Sequence, residues 1–228
     1  MRKQLLLIAA LAGQLTVSAT AQAPNPAVVK DSIGASMMRL RRYQWIQTMK
    51  LSVDGELKQT SISSCKYPAG APKAQCAEIS STPAEAPSGG PIRKKKMKQA
   101  IAEMKAYMDS VKVLLGNYVP PQQAKIEAAM QVGGVAIAPN PSTGALAMAI
   151  SNYAQKGDKM NIVLGAANSQ LHAVNIATWL NDPSALVTLD VAYAALNDGT
   201  HYPQQTTLNV TAKKIVISIS TTNYSLAP

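Results

Sequence analysis

Few side chains in this sequence suit covalent, metal or acid–base chemistry: Cys65 and Cys76, His172 and His201, and twelve carboxylates. Their spacing points away from catalysis. No H-x-x-x-H, H-E-x-x-H or C-x-x-C occurs, so no metal site is signalled. No G-x-S-x-G marks a strained nucleophile turn. Asp54, Asp158, Asp182 and Asp198 belong to turns, and no two carboxylates stand out as a pair for glycoside chemistry. His172 shares the parity of Val174 and is expected half-buried on a strand. His201 follows the turn Asp198-Gly199 and is expected at the surface. The expectation is a protein that is not an enzyme and needs no cofactor.

What the cysteines can do is pair. Thr60 to Lys66 and Gln75 to Ser80 read as short strands around Pro68-Ala69-Gly70-Ala71-Pro72. A Cys65–Cys76 bridge closes that compact turn. Its small loop limits the stabilisation to about 2–3 kcal/mol. The spacing is not that of a redox-active pair, and no helix start follows it.

A second pattern has binding rather than reactive character. Met97, Ile101, Met104, Met108, Val111 and Leu115 recur at steps of three and four and fill a stripe roughly 80° wide on a helix. Lys94, Lys98, Lys105 and Lys112 project about 60–100° from that axis and make a basic row beside it. Methionine adapts to varied apolar partners. Cations at a helix start oppose its dipole by a few tenths of a kcal/mol, which hints at a use. Met97, Ile101, Met104, Met108 and Val111 are therefore candidate contacts for an apolar ligand. Lys94, Lys98 and Lys105 are candidates for its anionic head. The competing reading is a helix that plugs its own sheet and keeps a solvated basic edge, making the protein a structural or interaction module.

The elements that would position these residues follow the hydrophobic period. Asn25-Pro26 starts a helix carrying Val29, Ile33, Met37 and Leu40, with Arg39, Arg41 and Arg42 at its end. From Tyr43 the period becomes two. Asp54-Gly55 supplies a two-residue hairpin turn, and the return strand runs towards Cys65. Residues 80–91 form a Ser/Pro/Gly-rich loop within one domain. A helix spans Ile92 to Gly116, and a shorter one runs from Pro120-Pro121 to about Met130, with Ile126 and Met130 facing in. After Val132 come alternating strands and tight turns, about six or seven strands in an antiparallel meander. The turns are too short for crossover helices. The fold class is α+β: a curved antiparallel sheet, an open half-barrel, with helices packed on its concave face.

The start of the chain sets the compartment. Met1-Arg2-Lys3, the apolar run Leu5 to Leu11 and Ala19-Thr20-Ala21-Gln22-Ala23 read as a secretory signal peptide, residues 1–21, cut after Ala21. A cut after Ala23 would put Pro24 next to the scissile bond. The apolar run is shorter than the roughly 20 residues of a membrane span, so no transmembrane segment is expected after cleavage. Residues 22–228 are enough for a single domain. Losing Arg2 and Lys3 lowers the formal net charge from +10 to +8. In a periplasmic protein the anions to meet are lipid head groups and acidic envelope polymers. Phe is absent and aromatics are few, so no stacking platform for nucleic acid can be assembled.

Several of these stretches, taken together, resemble a group of uncharacterised exported bacterial proteins. They are the first helix followed by Tyr43-x-Trp45 and the Asp54-Gly55 hairpin, and a central helix over a long meander. The others are Asn152-Tyr153 near Gly157-Asp158, and Asp198-Gly199-Thr200-His201-Tyr202-Pro203 before the last strands. The order of elements is also similar to the periplasmic lipoprotein-carrier fold of LolA, LolB and RseB type. That resemblance implies an unclosed barrel with helices as a lid, binding acyl chains or lipoproteins. The Cys65–Cys76 hairpin and the loop at 80–91 depart from the carrier pattern.

Overall fold

Alternation of apolar and polar residues dictates ten strands in one open antiparallel sheet. The computed structural model describes residues 34–71, 73–82, 90–140, 143–165 and 170–227. The expected leader and cleavage site, the helix start expected at Asn25-Pro26 and most of the loop expected at 80–91 lie outside them. Helix α1 (residues 34–40) leads into β1 (Tyr43–Val53), β2 (Glu56–Lys66) and β3 (Gln75–Ser81). Helices α2 (Pro91–Leu115) and α3 (Gln123–Gln131) follow. Then come β4 (Val135–Pro139), β5 (Leu146–Ser151), β6 (Lys159–Leu164), β7 (Leu171–Trp179), β8 (Leu186–Ala195), β9 (His201–Val210) and β10 (Ile215–Leu226).

The sheet order is β3-β2-β1-β10-β9-β8-β7-β6-β5-β4. The last seven strands are the expected meander, and the first three add to its far side through β1 and β10. Strands β3 and β4 are free edges, so the barrel stays open. Register shifts within the β1–β10, β6–β7 and β8–β9 pairs bend and twist the strands, which gives a sheet of this width its curl.

The local signals work as their chemistry requires. Asp54 and Gly55 both adopt positive φ, 53° and 81°, and Val53 pairs directly with Glu56. That is the two-residue turn whose twist matches a hairpin. Cys65 lies opposite Cys76 in the ladder and the two form a disulfide. Pro91 occupies the first turn of α2, where its missing N–H costs nothing, and Gly116 caps the end.

Three expectations need correction. In α3, Ile126 and Ala129 face the sheet, while Met130 is exposed. His172 is exposed and His201 is buried, the reverse of the sequence expectation. The cause is the β6–β7 irregularity: Val163 pairs with Ala173 but Leu164 pairs with Leu171, so His172 falls in a bulge and parity is lost. Strand β9 also begins at His201, directly after the turn, which draws that ring inward.

Two apolar cores lie on the helix-bearing face. One joins α3 and Tyr118 to β4 through β8, around Met148, Ile150, Met160, Ile162, Val174 and Ile176. The other joins the C-terminal half of α2 to β8, β9, β10 and β1, around Val111, Val187, Val210 and Ile215.

Candidate functional site

The α2 stripe divides into two parts. Met104, Met108, Val111 and Leu115 pack on Val187, Leu208, Val210, Ile215 and Ile217. Val111 is 0% exposed, so this stretch is a filled interface. The stripe's first part does not reach it. Ile101 is 60% exposed, and across residues 92–103 only Met97 is even half-buried. Lys94, Lys98 and Lys105 are all exposed on the same overhanging segment. The structure therefore brings Met104, Met108 and Val111 together with the sheet, and leaves Ile101 and the lysine row in solvent.

Free space lies elsewhere on the same face. A cavity of about 190 Å³ opens between α1, the α2–α3 connection and strands β7 to β9. Met37, Leu40, Val119, Pro121, Leu171 and Pro203 give it an apolar lining, and Tyr67, Tyr193 and His201 supply polar tips. A shallower groove of about 300 Å³ crosses β5 to β8 among Lys159, Asn161, Asn175 and Asp190. Met160 and Ile162 point into the core, so Lys159 and Asn161 project from the opposite face. That groove is shallow, and Ala149 and Ala177 line it beside those polar groups.

The wall of the cavity formed by Val119 to Pro121 is fixed from both sides. On one side, the Tyr118 hydroxyl donates to Asp158 Oδ2 at 2.6 Å. Asp158 is 1% exposed, and it also accepts the N–H groups of Tyr153 at 2.6 Å and of Ala154 and Gln155 at 2.9 Å. With its proton committed to Asp158, Tyr118 accepts from the Thr178 hydroxyl at 2.8 Å. Gln155 Nε2 in turn donates to Thr178, also at 2.8 Å. Burial, then the bond to Asp158, pushes the Tyr118 phenol well above its ordinary range. On the other side, the Gln122 N–H donates to the Tyr153 hydroxyl at 2.6 Å. The turn carrying these groups is tight. Gly157 has φ 92°, and a Cβ there would sit 3.0 Å from the Trp179 ring. A buried carboxylate with four donors needs no counter-ion.

Charge and aromatic rings border the opposite wall. The Arg41 guanidinium lies 5.9 Å from the centroid of the Tyr67 ring, and Arg39 is close enough to act on both Asp198 and His201. Trp45 lies tilted against Tyr67 at 5.7 Å and stacks on Tyr224 at 5.6 Å. Burial raises the Tyr224 phenol to about 12. His201 Nδ1 faces the Leu171 carbonyl at 3.3 Å, and Nε2 faces the Gln170 side chain at 2.5 Å. Burial holds its imidazole below the ordinary 6.5, so it is neutral at pH 7. Asp198 accepts the Tyr43 hydroxyl and the Thr200 N–H, each at 2.9 Å, which ties the β8–β9 turn to the start of β1.

Sequence reasoning missed this cavity. Its lining comes from α1, two connections and three strands, and no period links them. Two fragments were visible. Asn152-Tyr153 with Gly157-Asp158 is the anchor of the wall, and Asp198 to Pro203 supplies His201 and Pro203. Among the described residues no cluster of His, Cys, Asp and Glu could hold a metal ion, and no helix is long and apolar enough to cross a membrane.

No protein family matches the chain, and no curated protein matches its sequence. Two solved structures are similar to it. A LolA superfamily protein from Nitrosomonas europaea is 6% identical with a TM-score of 0.31, the match covering 86% of this chain and 94% of that one. A DUF1329 family protein from Desulfovibrio piger is 7% identical with a TM-score of 0.35, covering 87% and 92%. The likeness is one of fold alone.

Proposed function

We propose that this is an exported, carrier-like binding protein that takes the apolar end of an anionic amphiphile, a lipid or the acyl group of a lipoprotein, into the cavity beneath α1 and the α2–α3 connection. The observation that carries this reading is an apolar cavity left open beside a helix that buries Val111 against the same sheet. Its size fits only part of a ligand. Sites that enclose a whole small molecule run to roughly 300 Å³ and more, whereas a dry cavity near 150 Å³ already takes a benzene-sized group. Arg39 and Arg41 at the rim supply the charge for a carboxylate or phosphate head. The signal-like start and the disulfide support a periplasmic location. The filled interface under α2 supports the alternative of a self-plugged module, but only for that half of the face.

Calorimetric titration with laurate and with dodecanol tests the reading. Laurate binds and dodecanol binds more weakly. Leu171→Trp, which fills the cavity, abolishes both. Arg39→Gln/Arg41→Gln weakens laurate about tenfold, since exposed charge contacts contribute up to about 1 kcal/mol each, and spares dodecanol. Should native mass spectrometry of periplasm-derived protein show no co-purified lipid, and high concentrations of laurate, phospholipid and lipopolysaccharide all fail to bind, the carrier reading falls and the module stands.

A further inference from the structure

The overhanging half of α2 has no role in the cavity. Helical rise puts Lys94 and Lys98 about 25–30 Å from the last turn of α2, too far to touch a ligand head at Arg39 and Arg41. Yet this half is built unlike an ordinary solvated helix. Residues 91–105 carry Arg93, Lys94, Lys95, Lys96, Lys98 and Lys105 against the single acid Glu103. One large aliphatic side chain of the stripe stands out in water there, Ile101 at 60% exposure, while Ile92, 75% exposed, lies nine residues away on the opposite side of the helix. Ile101 continues the stripe of Met97 and Met104 but is left in solvent. Lys94, Lys98 and Lys105 fall within about 60° of Ile101 around the axis, so the exposed isoleucine has a cationic border.

A solvated surface helix gains nothing from an exposed isoleucine in its apolar stripe, and a core-facing helix gains nothing from a border of lysines. Both features together match a helix lying in a membrane interface, its apolar side chains among the acyl boundary and its lysines among anionic head groups. We propose that the N-terminal half of α2, through residues 91–101 and Lys105, docks this protein on an anionic lipid bilayer. The C-terminal half of the helix stays clamped on the sheet and holds the overhang in a fixed pose, so docking requires no unfolding. This surface is separate from the cavity, and either can fail without the other.

Co-sedimentation of the mature protein with phosphatidylglycerol and phosphatidylcholine vesicles tests it. Binding to phosphatidylglycerol vesicles is strong in low salt, weakens steeply at 1 M salt, and is absent with phosphatidylcholine. Lys94→Gln/Lys98→Gln/Lys105→Gln lowers partitioning roughly a hundredfold. Ile101→Ser lowers it at unchanged charge, which an acidic protein or polymer partner would not require. The control Lys50→Gln/Lys73→Gln/Lys159→Gln removes the same charge from exposed sites elsewhere and leaves partitioning within a few-fold. No binding to phosphatidylglycerol vesicles overturns the proposal. So does an equal loss in the control, which would make the attraction a property of net charge. Laurate affinity of both triple variants stays at the wild-type value, separating this surface from the cavity.

Discussion

The helix-bearing face has two stretches that should have filled alike and did not. Under the C-terminal half of α2, Val111 meets Val187, Val210 and Ile215 and is wholly buried. Beside the α2–α3 connection, about 190 Å³ is left open. The difference lies in what covers each stretch. A helix can roll and slide until its long side chains interdigitate with the sheet. The connection cannot. Tyr118 is fixed to Asp158 and Gln122 to Tyr153, so Val119, Pro120 and Pro121 are held off the sheet, and their short side chains do not reach across. Polar anchoring, which stabilises the lid, is also what keeps it from plugging the cavity.

The largest expected effect separates the two halves of α2. Val111→Asp buries an unpaired charge in the filled interface and destabilises by more than about 4 kcal/mol, whereas Ile101→Asp on the overhang stays within about 0.5 kcal/mol. Urea unfolding of both variants checks this. Equal tolerance would erase the distinction.

Next comes the aromatic wall of the cavity. Cys65→Ser/Cys76→Ser removes about 2–3 kcal/mol and lowers the melting temperature of purified protein while leaving a folded sheet. Free thiols titrated in native, periplasm-derived protein would contradict the disulfide's structural role. A smaller loss, about 2 kcal/mol, follows from Tyr118→Phe, which strips one donor from a buried carboxylate. Its sharper readout is local. Hydrogen exchange at the Gln122 amide accelerates, and exchange in the interface around Val111 does not.

Acid should affect the two stretches differently as well. His201 lines the cavity with a depressed pKa, so the unfolded chain takes up its proton first. The stability it contributes is present above pH 6.5 and is lost as pH falls through its folded value. The interface under α2 centres on Val111, Val187, Val210 and Ile215, which do not titrate. Denaturation midpoints measured across this range should decline in wild type and flatten in His201→Gln. At the alkaline end, Tyr224 has its pKa raised to about 12. Its contribution is whole below pH 10 and fades as pH climbs towards that value.

Local signals were legible because local chemistry decides them. The α2 limits, the Asp54-Gly55 hairpin and the Cys65–Cys76 pairing each depend on neighbours a few residues away, and each stands within a residue or two of its expected place. Periodicity also showed which side of α2 is apolar, but not where the sheet beneath it stops, which is why Ile101 ended in solvent. One bulge turned His172 outward, and the start of β9 directly after its turn drew His201 inward. Tyr118 was overlooked because its partners, Asp158 and Thr178, come from a distant turn and strand. A cavity is a relation among such distant parts, and composition carries no trace of it.

The strand order has a consequence for how the chain reaches this state. Strand β1 finds its inner neighbour only in β10, the last strand of all, pairing Tyr43 with Leu226. Until that final segment is available, β1 to β3 are a three-stranded ribbon with no sheet to join, and Leu51 and Val53 have no core. Long-range closure of this kind makes for slow folding. A chain whose C-terminal segment is not yet available cannot finish the sheet, so folding must wait for that segment. Truncation before Ile215 would therefore strand the entire first third of the protein and not merely remove one strand.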